Sequence, residues 1–279
     1  MTALTRIHAA PIEASLNFME PMAERPAGYQ YDPPPEVTRR PGGDYAPHRV
    51  PIRDARPLAA WLDLDAEGFA LLQAPTAFAS FDDAAAIRAA YYPEVERLIA
   101  DAAGATRAIA FDHNVRNAAR AGSGEPGIRG PVQSTHNDFT ARSGRDRALL
   151  EMEARGLDAE LLQGRFAIIN LWRPIGRPVE KWPLALCDAR TIADGDLIVK
   201  DLIYRDRVGE TYALWFNPAQ RWFHFPHLRP EEAILIKGYD SAEQVARFTA
   251  HSAFEDPTSR PDAPERESIE VRALVFYPD

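Results

Sequence analysis

Hydrophobic positions along the chain change their spacing several times, and each change predicts an element. Residues 1 to about 58 show no clear period and are rich in proline and arginine (YDPPPEVTRRPGGDYAPHRVP), which predicts an extended arm rather than a helix or a core strand. An apolar run from Gly68 (GFALLQAP) reads as a strand. The stretch from Phe81 (FDDAAAIRAAYYPEVERLIADAAG) has helical spacing, with Pro93 set to kink it. Next come a strand in TRAIAFDHNV, a glycine-containing loop in RNAARAGSGEPGIRG, a strand opening in PVQSTHNDFT and a helix over about 143 to 162.

Strand-like segments then dominate. FAIINLWRPI, DLIVKDLIYRD, ETYALWFN, RWFHFP and EEAILIKGYD follow one another between turn-forming residues. A short helix (SAEQVARF), a strand around FTAHSAF, a loop rich in Pro and Asp, and a last strand in RESIEVRALVFY complete the chain. Helices early and on one flank, with hairpin-spaced strands afterwards, predict a mainly β protein with flanking helices (α+β), folded as a double-stranded β-helix or jelly-roll barrel. The expected organisation is a single jelly-roll domain over 1–279, with 1–58 as a proline-rich N-terminal arm wrapping it.

Composition narrows the functional classes. A net charge of −9 over 279 residues does not favour a surface that neutralises phosphates, so no nucleic-acid partner is expected and a small-molecule substrate fits better. Cys187 is the only cysteine, which excludes an intramolecular disulfide and a cysteine-held metal, and suits a reducing cytoplasm. Glu13 and Glu20 interrupt the first twenty residues where an export signal would be apolar, and no apolar run approaches the roughly 20 residues needed to cross a bilayer. No membrane association is expected, and a homodimer is possible.

Of seven histidines only His136 is followed two positions later by a carboxylate, Asp138. Positions two apart on a strand share a face, so both can reach one metal ion. By itself this pair is a weak signal that more often describes a surface turn with the Asp bonding its own backbone. Downstream, His251 lies on an expected strand, and Arg266 and Ser268 share a face at the start of the last one. Two histidines and one carboxylate on a triangular face leave open positions suited to iron(II) and oxygen. A buried arginine with a neighbouring hydroxyl can hold the far carboxylate of 2-oxoglutarate. Arg272 shares that face, but six residues at about 3.3 Å each set it some 20 Å further on, so only one of the two arginines sits at metal depth.

Other readings compete for the same residues. His224 and His227 in RWFHFPHL are rival third ligands, with packing or a turn as their plainer roles. His113 is a strand histidine near the expected barrel mouth. In NLWRP, Asn170 can hydrogen-bond the co-substrate and Arg173 can bind an anion, while cross-strand packing explains both equally. Tyr204 and Arg205 fit a solvated charged edge. There is no Gly-x-Gly-x-x-Gly, Walker sequence or Gly-x-Ser-x-Gly elbow, which removes nucleotide and serine-hydrolase chemistry from the leading readings.

The order His-x-Asp, distal His, Arg-x-Ser resembles the 2-oxoglutarate-dependent iron dioxygenases. HNDFT, NLWRPI, PLALCDAR, YRDRVGETY, RWFHFP, EEAILIKGYDS, HSAFEDP and RESIEVRALVFY are similar to the CmcJ/NvfI family of secondary-metabolism oxygenases. LNFMEPM, YDPPPEV and GFALLQAPT extend the likeness over nearly the whole chain. The resemblance implies Fe(II), 2-oxoglutarate and O2, with hydroxylation, desaturation or endoperoxide formation on a small organic molecule. It implies His136, Asp138 and His251 as metal ligands. EDPTSRPDAP makes the gap between His251 and Arg266 longer than in many plant-type dioxygenases. The alternatives are a non-catalytic accessory protein retaining the fold, and a metal-dependent isomerase or hydrolase using the same three ligands.

Overall fold

Alternating side-chain polarity, read in three dimensions, sorts the chain into two curled sheets. The computed structural model describes residues 10–123 and 129–278. Among these, the first half supplies β1 (Ile12–Met19), β2 (Ala27–Tyr29), β3 (Tyr45–Asp54), β4 (Phe69–Gln73), β5 (Arg107–Asn117) and β6 (His136–Asn137). The second half supplies β7 (Phe166–Pro174), β8 (Leu184–Cys187), β9 (Leu197–Ile203), β10 (Val208–Leu214), β11 (Trp222–His224), β12 (Glu232–Asp240), β13 (His251–Ala253) and β14 (Glu267–Phe276). The larger sheet runs β1-β3-β11-β8-β13-β6-β10-β9-β2 and the smaller β4-β12-β7-β14-β5. Many strands in two facing, curled sheets make the jelly roll expected from the sequence.

The smaller sheet shows how polarity positions the interior. Ile269, Val271, Ala273 and Val275 of β14 pack with Ala167, Ile169 and Leu171 of β7 beneath helix α1 (Tyr92–Ala103). The intervening Ser268, Glu270 and Arg272 therefore point the other way, into the barrel. Pro93 sits in the first turn of α1, where its missing N–H costs nothing, and a π-helical turn over Ile87–Tyr91 precedes it. Helix α2 (Ala141–Ala154) starts immediately after the His-x-Asp segment. Thr140 and Ser143 cap it reciprocally, Ser143 N donating to Thr140 Oγ1 (3.0 Å) and Thr140 N to Ser143 Oγ (2.8 Å). Gly144 lets α2 approach β12, since a Cβ there would lie 2.4 Å from the Tyr239 ring.

Three expectations change. The proline-rich stretch contains three strands of the larger sheet, β1, β2 and β3; Ala14, Leu16 and Phe18 of β1 alternate into a core cluster with Val50 and Ile52 of β3. Pro47 and Pro51 are tolerated because β3 gains its second neighbour, β11, only from Ile52 onward, leaving that flank of β3 unpaired at the prolines. SAEQVARF forms no helix. Its backbone donors go elsewhere: Ser241 N to Phe166 O, Ala242 N to Asp240 Oδ1 and Ala246 N to Asp65 O. PLALC forms β8, a four-residue, wholly buried strand whose lack of alternation hid it. Residues 1–9 of the expected leaderless N-terminus and 124–128 of the expected glycine loop lie outside the described residues.

Candidate active site

His136 opens β6, a two-residue strand between β13 and β10, and stands directly opposite His251 of β13. Asp138 follows at the strand's end. The His136, Asp138 and His251 ligand atoms all lie within 4.8 Å of one another, and the imidazole centroids are 4.5 Å apart. In each histidine, Nδ1 faces the carbonyl two residues upstream: Ser134 O at 2.8 Å for His136 and Thr249 O at 3.1 Å for His251. A proton held on Nδ1 by those carbonyls leaves both Nε2 lone pairs free, the state that binds a metal. Burial drives His136 down to about 4, with His251 adding to the effect, and burial likewise lowers His251. Both rings are therefore neutral near pH 7.

The residue between His136 and Asp138 ties the two arms together. Buried Asn137 donates from Nδ2 to Phe139 O (2.6 Å) and Gly238 O (2.8 Å), and its Oδ1 accepts from Thr249 N (3.0 Å). One amide thus links the His-x-Asp strand to β12 and to the residue whose carbonyl orients His251. The N-terminal strand also splints this segment. Thr135 donates from N (2.9 Å) and Oγ1 (3.0 Å) to Asn17 O, and Asn17 Nδ2 donates to Gln133 O (3.0 Å).

Asp138 is held by Asn170 Nδ2 (2.7 Å) and Arg272 Nε (3.2 Å), both at Oδ2. Burial works to raise its pKa, but Arg272, the two histidines and the Asn170 hydrogen bond outweigh it and hold the carboxyl below its usual range. Asn170 therefore sits on the candidate metal ligand itself, and Arg272, not Arg266, is the arginine at metal depth. Glu270 lies beside Arg272, with Oε1 3.3 Å from Nη2; burial, with Asp138 nearby, raises its pKa.

Arg266 and Ser268 are both buried at the start of β14. Arg266 donates from Nη1 to Trp182 O and stacks 5.2 Å above the Trp172 ring. Trp182 holds a left-handed backbone (φ 53°), a strained geometry that presents its carbonyl to the guanidinium. Arg266 Nε and Ser268 Oγ, both buried, have no hydrogen-bond partner among the described residues. Burial, with Arg116 nearby, lowers the Arg266 pKa to about 9. Arg116 of β5, opposite Ser268, bridges the two groups electrostatically, acting on Arg266 at one side and on Asp138 and His251 at the other.

Of the remaining candidates, His113 and Tyr204 line one cavity with His136 and Asp138, whereas His224, His227, Arg173 and Arg205 stand apart from it. His224 and His227 line a different cavity of about 440 Å³ with Asp54 and Asp256. His113 Nδ1 pairs with Tyr92 OH (2.8 Å) under α1. Arg173 is buried, donating to Ala74 O with Glu94 3.9 Å away, so it braces the fold. Tyr204 carries Arg207 over its ring, and Arg205 stacks on Tyr31. His136, Asp138 and Arg272 form part of the wall of a cavity of about 1220 Å³, large enough for a sizeable organic molecule. Glu270, Arg116 and Asn137 went unnoticed in the sequence. Polar–apolar alternation in SIEVRA marks Glu270 as interior, whereas nothing local marks the other two.

A family profile described as an oxidoreductase/YMDC permease-like domain matches residues 16–276. Among the described residues no helix is long and apolar enough to cross a membrane. The chain is 35% identical to the Fe(II)/2-oxoglutarate-dependent dioxygenase nvfI of Aspergillus novofumigatus, over 95% of this chain and 96% of that protein. It is 31% identical to the hydroxylase/desaturase efuI of Hormonema carpetanum, over 84% and 85% respectively. A solved structure of the iron and alpha-ketoglutarate-dependent endoperoxidase NvfI superposes with a TM-score of 0.84 at 32% identity, covering 97% of this chain and 99% of that one.

Proposed function

Since the chain belongs to the Fe(II)/2-oxoglutarate-dependent dioxygenases, we propose that His136, Asp138 and His251 hold its iron and that Arg266 and Ser268 anchor the far carboxylate of 2-oxoglutarate. The observation that carries the co-substrate half is the pair of unpartnered atoms, Arg266 Nε and Ser268 Oγ. A buried guanidinium N–H and a buried hydroxyl left without partners are costly, and a carboxylate seated between them satisfies both. The donor set of two neutral imidazoles and one carboxylate fits iron(II).

Iron with 2-oxoglutarate and O2 supplies the oxidising chemistry, and the protein supplies geometry. Asn170 and Arg272 keep Asp138 ionised and fixed in orientation. Asn137 holds the His136 and His251 strands in register. Arg116 balances negative charge between anchor and metal. The reaction is an oxidation of a small organic molecule of secondary metabolism, hydroxylation or desaturation, inside the large cavity. The accessory and isomerase readings fit less well, since neither needs the Arg266–Ser268 pocket beside an intact triad. Buried, unpaired Cys187 suits a cytoplasmic setting.

Anaerobic titration of the iron-loaded protein with 2-oxoglutarate tests this. A saturable visible charge-transfer band is expected, and its absence from a folded, iron-loaded sample would sink the co-substrate assignment.

A further inference from the structure

The large cavity is electrostatically unlike the chain that forms it. The chain carries a net −9, yet nine cationic side chains line this cavity against six carboxylates. Every lining carboxylate already faces an arginine: Asp112 and Asp138 face Arg272, Asp201 and Glu210 face Arg25, Asp82 faces Arg120, and Asp146 faces Arg142. Cationic charge is left over.

Lys200 is the best placed of the remainder. Only three lysines occur in the chain, Lys181, Lys200 and Lys237. Lys181 pairs with Glu265 and Lys237 with Asp240, whereas Lys200 has no carboxylate partner among the described residues. It is half-buried, and its ammonium donates to Tyr45 OH at 3.2 Å, lying 5.2 Å from that ring's centroid. The aliphatic stem runs beside Gly28, where a Cβ would meet Lys200 Cε at 3.4 Å, an ordinary van der Waals contact. Two of three ammonium donors stay free, a match for the two oxygens of a carboxylate.

Strand register relates this group to the metal ligands. Ala213 of β10 pairs with His136 on one side and Ile198 of β9 on the other, and Lys200 pairs with Thr211 two residues along. Lys200 thus shares the sheet face of His136, with its Cα roughly 12 Å away by strand spacing and rise. Ser134, whose side chain reaches Tyr45 and whose carbonyl orients His136, joins the two places. Burial lowers the Lys200 pKa, consistent with an ammonium whose desolvation no acid offsets.

We propose that Lys200 and Tyr45 form the subsite that receives a carboxylate of the organic substrate, so that the enzyme oxidises an organic acid positioned by that end. This rests on the iron and co-substrate reading above.

Matched acids and methyl esters test it: abietate, deoxycholate and 1-naphthoate against their esters, by equilibrium dialysis with the anaerobic Fe(II)/2-oxoglutarate-loaded protein. At least one acid is expected to bind about tenfold more tightly than its ester, roughly 1.4 kcal/mol. Lys200→Met should bring that acid to the level of its ester, Lys200→Arg should keep most of the preference, and Lys181→Met should leave it unchanged. No acid preference in any pair, or a preference surviving Lys200→Met, overturns the proposal. The charge-transfer band, recorded on the same samples, reports separately whether the co-substrate reading stands.

Discussion

The candidate metal triad and the head of β14 are both polar and largely shielded from solvent, yet they are finished to different degrees. Every triad side chain is already oriented by the fold: two imidazoles by carbonyls, one carboxylate by Asn170 and Arg272. At the head of β14, Arg266 Nε and Ser268 Oγ have no hydrogen-bond partner among the described residues. In the proposed reading the first arrangement is preorganised for a cation that needs fixed ligands. The second is completed by the carboxylate proposed to bind there, so it should respond to ligand far more than to the apo fold.

Removing a triad member should break the comparison most severely. His251→Ala is expected to abolish stoichiometric iron binding and turnover, read by metal analysis and succinate formation. His224→Ala and His227→Ala, in the other cavity, should retain both; the reverse pattern would reassign the third ligand.

Arg266→Met should separate the two places. The 2-oxoglutarate affinity is expected to fall about 100-fold, in keeping with a lost charged hydrogen bond of roughly 1.5–3 kcal/mol, while iron binding persists. Without co-substrate the melting temperature should hold or rise, because a buried, incompletely paired guanidinium is gone. Arg272→Met should do the opposite, weakening iron through Asp138. Titrations of both ligands on both variants decide the matter.

A smaller effect is expected at Asn137. Asn137→Ala should lower iron affinity about 10- to 100-fold, as for other groups that orient ligands. It should also cost about 1–3 kcal/mol of unfolding free energy, because Thr249 N and two carbonyls lose a buried partner. Metal titration and denaturant unfolding check each part, and unchanged iron affinity would reduce Asn137 to a purely structural residue.

Much of this centre was legible before folding. Period-two geometry put His136 and Asp138 on one face, the order His-x-Asp, distal His, Arg-x-Ser and the family resemblance singled the pair out as candidate ligands, and the alternation in RESIEVRALVF put Arg266 and Ser268 on one face. The arm was misread because its prolines suggested an irregular path, although Ala14, Leu16 and Phe18 alternate as a strand should. SAEQVARF has helical spacing, but partners distant in sequence took its backbone donors.

What the sequence determined on its own is therefore the candidate ligand types, their order and the faces they share, because residue identity and strand periodicity are local. Tertiary structure alone decided that Arg272 rather than Arg266 stands beside Asp138, that Asn137 links two strands separated by over a hundred residues, and that Lys200 has no acid partner among the described residues in a cavity whose acids are all paired. Those facts depend on sheet curvature and strand order, which bring distant residues together and which no local pattern encodes.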